Sequence, residues 1–326
     1  MEDSSKENLI APSKFRFTHL PKLIAMAFKR WNASDPARLS AVVAYYAVLS
    51  LPALLVIVVN TVGSIWGADI VAGRLTTQFQ NILGADTAKI IEEMIMSTEF
   101  SGKSTLATII GVATLIFGAT GVFYHLKISL NEIWELKMTE QISWYKLVKD
   151  RIISFGFVLV LGFLLLVSFI LTATISILSE YIAERLPDFV LYLAFGLDWI
   201  LSLSVITLLF GLIFKYLPDA KITWRTVWIG AFLTALLFVL GKFLLGLYFG
   251  ATNPGSTYGA AGSLVLILLW VSYSCLIFFF GAEFTKVFSI NYGYGIIPYE
   301  HFSRVKKKEV IIDTNVESNV STESKP

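Results

Sequence analysis

The composition of this chain of 326 residues excludes an ordinary water-soluble domain. Hydrophobic residues make up 56% of the chain, charged residues make up 15%, and the mean hydropathy is +0.70. Soluble domains carry about 25% charged residues. The net charge of +2 excludes the strong positive field of a nucleic-acid-binding protein. With Cys275 as the single cysteine, no disulfide can form within the chain. We therefore expect an integral membrane protein.

The N-terminal segment, residues 1–38, is polar and basic, and we expect no cleaved signal peptide. One helical face within it is apolar and carries Leu23, Ile24, Ala27, Phe28 and Trp31. This pattern predicts an amphipathic helix lying in the membrane interface. Ser34-Asp35-Pro36 then predicts the start of the next helix, with a capping side chain followed by proline at the first helical position.

Six apolar stretches follow within residues 39–290, each long enough to cross a bilayer core of about 30 Å as a helix. They lie near Ala41–Val62, Ser104–Leu126, Ile152–Ser179, Val190–Phe214, Val227–Phe249 and Ala260–Ala282. Each run is too long for a barrel strand and lacks strict alternation, so strands are not expected. The predicted fold is an all-α membrane protein, a six-transmembrane-helix bundle with interfacial amphipathic helices.

Lys and Arg predict the orientation of these spans. If the spans alternate, 21 of the 26 Lys and Arg residues lie on one side, four lie on the other, and Lys242 lies within a span. Positive charge accumulates on the cytoplasmic side of membrane proteins. We therefore expect a multi-pass protein of an inner or plasma membrane, with both termini in the cytoplasm.

Two segments outside the spans have their own patterns. Residues 63–103 predict two amphipathic helices separated by Gly84, which lie on the outer membrane surface or cap the bundle. The C-terminal segment, residues 291–326, is predicted to be cytoplasmic and mostly disordered because it is polar.

Two charges inside the predicted spans form the first candidate functional site. Asp198 in the fourth span and Lys242 in the fifth lie at nearly equal distances from the loop that joins these spans. Charges inside a membrane are costly and mark functional sites by default. We predict an ion pair that faces the bundle interior, and a substrate or proton site in an outward-facing cavity is one interpretation of it. The alternatives are a purely structural pair, or a Lys242 side chain that extends outward to the lipid headgroups.

Further candidates lie in the other spans. Pro52 frees a carbonyl that Ser50 can help satisfy, and a helix broken in this way is common in transporter sites, although plain proline kinks are common too. Tyr45 nearby fits packing or interfacial contact better than ligand binding. Asn131 and Trp134, just inside the membrane, are expected to anchor an interfacial helix or to cap a cytoplasmic gate.

Glu283 ends the sixth predicted span, and we expect it at the headgroup level. Its expected partner is Lys286, one turn further on, or another basic residue such as Arg38. Small residues at Gly118–Gly121 and Gly259–Gly262 predict close approach of neighbouring helices.

Signatures of an enzyme are missing from the sequence. The three histidines, His19, His125 and His301, are far apart, and there is no phosphate loop or paired-cysteine zinc motif. We therefore expect no catalytic residue, no cofactor, no metal and no enzymatic activity.

Four segments carry a resemblance to a known family. They are Ala44–Leu55 (AYYAVLSLPALL), Gly118–Trp134 (GATGVFYHLKISLNEIW), Tyr216–Ala231 (YLPDAKITWRTVWIGA) and Thr257–Glu283 (TYGAAGSLVLILLWVSYSCLIFFFGAE). The chain resembles the YihY/BrkB family of bacterial membrane proteins over roughly residues 20–290. The last segment is the most specific.

The resemblance implies a bacterial inner membrane protein without an agreed catalytic motif. Members have been labelled virulence factors or ribonuclease BN. A nuclease needs positioned acid–base groups or metal ligands, and the sequence supplies neither. Similarity to proteins linked with export of envelope lipid precursors implies transport of a lipid or other amphiphile. The alternative is a non-transporting envelope or scaffold protein. The expected partners are membrane lipids and such a substrate, with no nucleic acid, and a homo-oligomer is compatible with the sequence.

Overall fold

The computed structural model describes residues 16–83, 85–96, 105–138, 152–157, 188–252, 261–293, 295–299 and 302–304, with a few isolated positions between these ranges. Its described helices are α1 (Leu20–Ala33), α2 (Pro36–Trp66), α3 (Ala68–Leu83), α4 (Ala85–Met96), α5 (Thr105–Ile133), α6 (Asp188–Tyr216), α7 (Trp224–Thr252) and α8 (Gly262–Tyr292). Its described strands are β1 (Leu136–Met138), β2 (Ala220–Lys221), β3 (Ile297–Pro298) and β4 (Phe302–Arg304).

Four helices of the described residues are long and apolar enough to cross a membrane. They are Pro36–Asn60 within α2, Trp199–Tyr216 within α6, and the whole of α7 and α8. These coincide with the first, fourth, fifth and sixth predicted spans. The helix α5 covers the second predicted span. Most of the third predicted span, Ile152–Ser179, lies outside the described residues. Within this span, residues 152–157 are described and are helical. A mostly helical fold is therefore confirmed, and the number of six spans stays a prediction.

The helix termini meet at one end of the bundle, which we call the basic end. There α2 and α7 begin and α5, α6 and α8 end. Arg38 near the start of α2 pairs with Glu132 near the end of α5. Lys127 of α5 pairs with Asp219 in the loop between α6 and α7. This arrangement is the one that alternating spans require.

Two short strand pairs join the segments at the basic end. The strand β1 pairs antiparallel with β4, and β2 pairs antiparallel with β3. The fold is mostly helical, as predicted, but these strands were not, because strands of two or three residues carry no alternation pattern that sequence can reveal. Both β3 and β4 lie in the C-terminal segment predicted to be mostly disordered, and residues beyond 304 lie outside the described part.

The amphipathic helix predicted near the N-terminus is present as α1, and half of its apolar face packs on α8. Leu23 and Ala27 are buried in a cluster with Phe284, Val287 and Phe288. Ile24 and Phe28, on the same predicted face, are exposed. The helix therefore combines a protein contact with apolar side chains free to enter the membrane interface.

The junction between α1 and α2 differs from the prediction in one respect. Pro36 is the first residue of α2, as predicted, but Asp35 makes no capping hydrogen bond through its side chain. Asp35 has a left-handed backbone with φ of 53° and pairs with Arg38 instead. Ser34 Oγ donates to the carbonyl oxygen of Trp31 at 2.8 Å and so closes α1.

The two helices predicted for residues 63–103 are confirmed as α3 and α4. Their buried residues Val71, Leu75 and Ile91 share a cluster with Leu55 of α2 and Leu266 of α8. Leu55 and Leu266 lie far from the basic end along their helices. The pair α3–α4 therefore caps the bundle at the opposite end.

Small residues bring the helices close together at two interfaces. A methyl group on Gly118 or Gly121 would meet Ala53 and Ser50 of α2, which confirms close packing along the second predicted span. The helix α2 continues through Pro52, which favours the alternative of a plain proline kink over a broken span. Two residues of the second small-residue stretch, Gly259 and Ala260, lie outside the described residues.

The closest approach in the described bundle is a reciprocal one between α7 and α8. A methyl group on Gly230 would overlap the side chain of Thr285, and one on Gly281 would overlap that of Thr234. Each threonine hydroxyl donates to the carbonyl oxygen of the glycine four residues earlier in its own helix, at 2.7 Å. The hydroxyl oxygen is also the threonine atom nearest to the facing glycine, so α7 and α8 pack closely beside Ala282 and Glu283.

Candidate functional site

Two charged side chains lie inside α8 rather than at its end. Glu283 and Lys286 are one turn apart, and only 2% of each side chain is exposed. Lys286 Nζ lies 3.6 Å from Glu283 Oε1, which is the predicted pairing. The helix α8 continues beyond Glu283 to Tyr292, and the expected position of Glu283 at the headgroup level stays a prediction. Glu283 is a buried carboxylate within an apolar helix.

Lys286 connects α8 to the C-terminus of α5. Its Nζ donates to the carbonyl oxygen of Ile133 at 2.7 Å and to Glu135 Oε1 at 3.1 Å. The last carbonyls of a helix lack partners within the helix and carry partial negative charge, so a cation is favoured there. Glu135 has a left-handed backbone with φ of 59°, which turns the chain from α5 into β1. One ammonium group therefore serves a helix terminus and two carboxylates.

Trp134 fixes the same junction from the other side. Its side chain is fully buried, and its Nε1 donates to the carbonyl oxygen of Ala282 at 3.2 Å. Trp134 was expected to anchor an interfacial helix or to cap a gate. The structure places it between α5 and α8, beside Glu283.

A second group of polar side chains surrounds Asp219 in the loop between α6 and α7. Lys127 Nζ lies 3.1 Å from Asp219 Oδ1, and Asn131 Nδ2 donates to Asp219 Oδ2 at 2.8 Å. In return, the amide of Asp219 donates to Asn131 Oδ1 at 3.0 Å. The amide of Tyr299 donates to the carbonyl oxygen of Asp219 at 3.1 Å. Asp219 thus joins the loop, α5 and the C-terminal segment.

We call Lys127, Asn131, Asp219, Glu135, Glu283 and Lys286 together the basic-end network. Arg38 adds an exposed pair with Glu132 at its rim. Exposed pairs contribute about 0–1 kcal/mol, whereas Lys127 and Lys286 are almost fully buried. The buried members are therefore the ones whose removal should matter.

One atom of the network has no hydrogen-bond partner among the described residues. It is Glu283 Oε2, which is buried. Arg30 on α1 is close enough to act electrostatically on Glu283. Trp31, next to Arg30, packs edge-on against Phe280 of α8, and its buried Nε1 also lacks a partner in the described structure. The interface between α1 and α8 therefore holds an unpaired acceptor and an unpaired donor.

The candidates on α2 lie away from this network. Ser50 is buried against Gly121, which gives it a packing role. Tyr45 is 58% exposed and contacts Tyr46 edge-to-face, with ring centroids 5.2 Å apart. Tyr46 in turn stacks on His125 of α5 at a centroid distance of 3.4 Å. These contacts agree with packing and interfacial roles.

The predicted Asp198–Lys242 pair stays a prediction. Asp198 lies in α6, but its side chain is outside what the structure describes. Lys242 of α7 is exposed, next to the exposed Phe243 and Leu244. The structure therefore brings together Asn131, Trp134 and Glu283, and it does not connect Lys242 with them.

Sequence reasoning missed Lys127 and Asp219 as site residues. Lys127 directly follows the apolar run of the second predicted span and was counted as a loop residue. Its spacing of four from Asn131 places both on one helical face, and this was the available signal. Asp219 lies 88 residues from Asn131, and no local pattern connects the two.

The chemistry available to this arrangement is ion pairing and proton exchange. No group of three or more His, Cys, Asp and Glu residues that could hold a metal ion occurs in the described part of the chain. The network joins α5, α8 and the α6–α7 loop at one end of an apolar bundle. Such a set can hold that end closed and can release it when a proton or a charged group changes the pairing.

Comparison with known proteins agrees with these features. A family model described as Virulence factor BrkB matches residues 27–298, which include the basic-end network. The chain belongs to the Virulence factor BrkB family. It is a multi-pass membrane protein of the YihY/BrkB type, as the resemblance implied.

Three curated relatives illustrate the range of similarity. A UPF0761 membrane protein of Mannheimia succiniciproducens is 24% identical over 281 residues, 83% of this chain and 90% of the relative. The UPF0761 membrane protein YihY of Salmonella newport is 26% identical over 208 residues, 64% of this chain and 67% of the relative. A UPF0761 membrane protein of Verminephrobacter eiseniae is 28% identical over 189 residues, 58% of this chain and 43% of the relative.

The chain spans less than half the length of the Verminephrobacter eiseniae relative and of two further curated relatives. No solved structure matches it significantly.

Proposed function

We propose that this protein transports a lipid or other amphiphile across or within the bacterial envelope. In this proposal it is a six-span inner membrane protein with both termini in the cytoplasm, and the basic-end network is its cytoplasmic gate. The observation that carries the proposal is the burial of Lys127, Lys286 and Glu283 at the point where the helix ends meet. Buried charge is costly in a membrane protein and is retained for substrate or ion movement.

The contacts of the network suit a gate. Lys286 has two carboxylates and a helix carbonyl within reach, so it can exchange partners without losing all of them. Asp219 lies in a loop rather than in a helix, and it therefore can leave Lys127 without disturbing a helical backbone. Neither α2 nor α8 needs to unfold for this end to open.

Reconstitution tests the proposal. Purified protein is placed in liposomes that contain a fluorescent phospholipid, and a membrane-impermeant reductant quenches the label on the outer leaflet. We expect the fraction of labelled lipid that is protected from the reductant to fall in vesicles that contain the protein, and to fall faster under a proton gradient. Lys127→Met should change this rate, whereas Lys137→Met, at an exposed position of β1, serves as the matched control. If folded protein moves no lipid or amphiphile with or without a gradient, the proposal is wrong.

The orientation is tested separately, because Cys275 is the single cysteine. In a Cys275→Ser background, single cysteines replace Lys137 at the basic end and Asp69 on α3, both exposed. A membrane-impermeant maleimide should label Asp69→Cys in intact cells and Lys137→Cys only in inverted vesicles. The reverse pattern would contradict the cytoplasmic assignment of the basic end.

A non-transporting scaffold is the alternative, and one observation favours it. Ile70 of α3 is 58% exposed on the cap at the end opposite the basic end. A photo-crosslinker at position 70 would capture a constant envelope partner if the cap is a docking surface. An Asp69 crosslinker is the matched control. In either case we propose that the protein performs no enzymatic reaction, and metal-dependent cleavage of precursor tRNA by purified protein would contradict this.

A further inference from the structure

Glu283 is unusual among the buried charges of the described chain. Lys127 and Asp219 neutralise one another, and Asn131 supplies an additional hydrogen bond. Glu283 lies 3.6 Å from Lys286, which is already bound by Ile133 and Glu135 at shorter distances, and Arg30 acts on it electrostatically from α1. Its second oxygen, Oε2, has no partner among the described residues. The carboxylate is therefore buried with one of its two oxygens outside any hydrogen bond.

The charged groups that face Glu283 can be named element by element. They are Lys286 on α8, Arg30 on α1 and Glu135 between α5 and β1. The helix α7 contributes Gly230 and Thr234 to this part of its interface with α8, and both are uncharged. Lys286 is thus shared by two carboxylates, Glu283 and Glu135, and Arg30 is the second cation that faces Glu283.

A proton would lower the free-energy cost of burying this carboxylate with an unbonded oxygen. An ionised carboxyl group that is buried with a free oxygen carries a large desolvation cost, whereas a protonated one needs only a single acceptor and a single donor. A proton from bulk water binds at Oε2 and converts Glu283 to a neutral acid. No other bond in the protein forms or breaks. Lys286 then keeps Glu135 and the carbonyl oxygen of Ile133 as its partners.

We propose that Glu283 is a proton-binding site whose charge sets the position of Lys286, and through it the junction of α8 with the end of α5. When Glu283 loses its proton, Lys286 moves toward it and weakens its contacts with Ile133 and Glu135. The end of α5 is then held less tightly to α8, to which Trp134 still donates a hydrogen bond at Ala282. This inference deepens the proposed function, on which it rests, by naming a proton as the coupled ion and the α5–α8 junction as the moving part.

Infrared spectroscopy tests proton binding directly. Difference spectra of purified protein are recorded over a pH titration, and the carbonyl band of protonated carboxylic acids is followed. We expect a band from a buried acid in the wild-type protein and its loss in Glu283→Gln. Glu92→Gln, at an exposed position of α4, is the matched control and should keep the band. An identical band in wild type and Glu283→Gln would overturn the proposal.

A distance measurement tests the coupling. Spin labels are placed at Lys137 on β1 and Ile290 on α8, both exposed, in a Cys275→Ser background. We expect the distance distribution to change with pH, and Glu283→Gln to hold it at the distribution of the low-pH state. Lys286→Met should abolish the pH dependence without removing the infrared band. A distribution that is independent of pH, or one that still changes with pH in Glu283→Gln, would refute the coupling.

The two proposals fail in different ways. If labelled lipid does not move but the band and the distance both respond to pH, the transport function is wrong and the proton site remains. If lipid moves at the same rate in wild type and Glu283→Gln under every gradient, and the band is absent, the proton site is wrong and transport remains.

Discussion

Removal of the Lys127 ammonium group should destabilise the protein strongly. In Lys127→Met the Asp219 carboxylate keeps Asn131 as a donor but loses its counter-ion, while only 14% of the Asp219 side chain is exposed. Breaking a buried pair by removing one partner costs about 3–5 kcal/mol. The residual exposure and the remaining amide donor favour the lower figure, so we expect a loss of about 3 kcal/mol, roughly a hundredfold in the unfolding equilibrium.

The second variant of this experiment removes the charge that Lys127 compensates. Asp219→Asn has no negative charge to leave buried, and its amide can still exchange hydrogen bonds with Asn131. The double variant combines Lys127→Met with Asp219→Asn. Replacing both members of a buried ion pair is often close to neutral. The double variant should therefore lose less than about half of the free energy of unfolding that Lys127→Met loses alone.

The assay is equilibrium unfolding in mixed detergent micelles, followed by tryptophan fluorescence. Lys137→Met is the control because Lys137 is exposed at the same end, and surface changes of this type stay within about 0.5 kcal/mol. Two results would refute the reasoning. One is a Lys127→Met loss no larger than that of Lys137→Met. The other is a double variant at least as unstable as the single one.

Two further changes test individual contacts. Gly230→Ala places a methyl group on the Thr285 side chain and should cost about 1–3 kcal/mol by overpacking. Gly246→Ala, in the same helix with open space around it, should be neutral or stabilising in the same equilibrium unfolding assay. Tyr292→Phe removes the hydrogen bond of 2.6 Å with His19 Nδ1 that ties α8 to the start of α1. It should cost about 1 kcal/mol, and unchanged protease sensitivity of the N-terminal segment would contradict this.

Local patterns explain what the sequence could predict. The apolar runs of α2, α6, α7 and α8 and the amphipathic faces of α3 and α4 depend on residues close together in the chain. Length and period therefore identify them. The uneven distribution of Lys and Arg likewise predicts which helix ends lie on the same side of the membrane. The structure brings these ends together at the basic end.

Contacts between distant segments explain what the sequence could not predict. The partners of Asp219 lie on α5, far away in the chain. The strand β1 pairs with β4, although α6, α7 and α8 lie between them in the sequence. Glu283 was placed at the membrane surface because the apolar run ends there. The helix α8 continues because Phe284, Val287 and Phe288 are buried against α1, and because Lys286 has partners on α5. Tertiary packing, rather than hydropathy, sets the end of this helix.

The predicted Asp198–Lys242 pair needs a separate test. The exposure of Lys242 favours the alternative in which its side chain extends outward to the lipid headgroups. Phe243 and Leu244 beside it are exposed apolar side chains, as on a lipid-facing surface, and a lysine on such a surface extends to the headgroups. If that holds, Lys242→Met and Asp198→Asn should have additive effects on the free energy of unfolding, within about 0.5 kcal/mol. A buried pair would instead give the double variant a markedly smaller loss than the sum of the single ones. Additivity would leave Glu283 and its neighbours as the charges for which transport experiments should be designed.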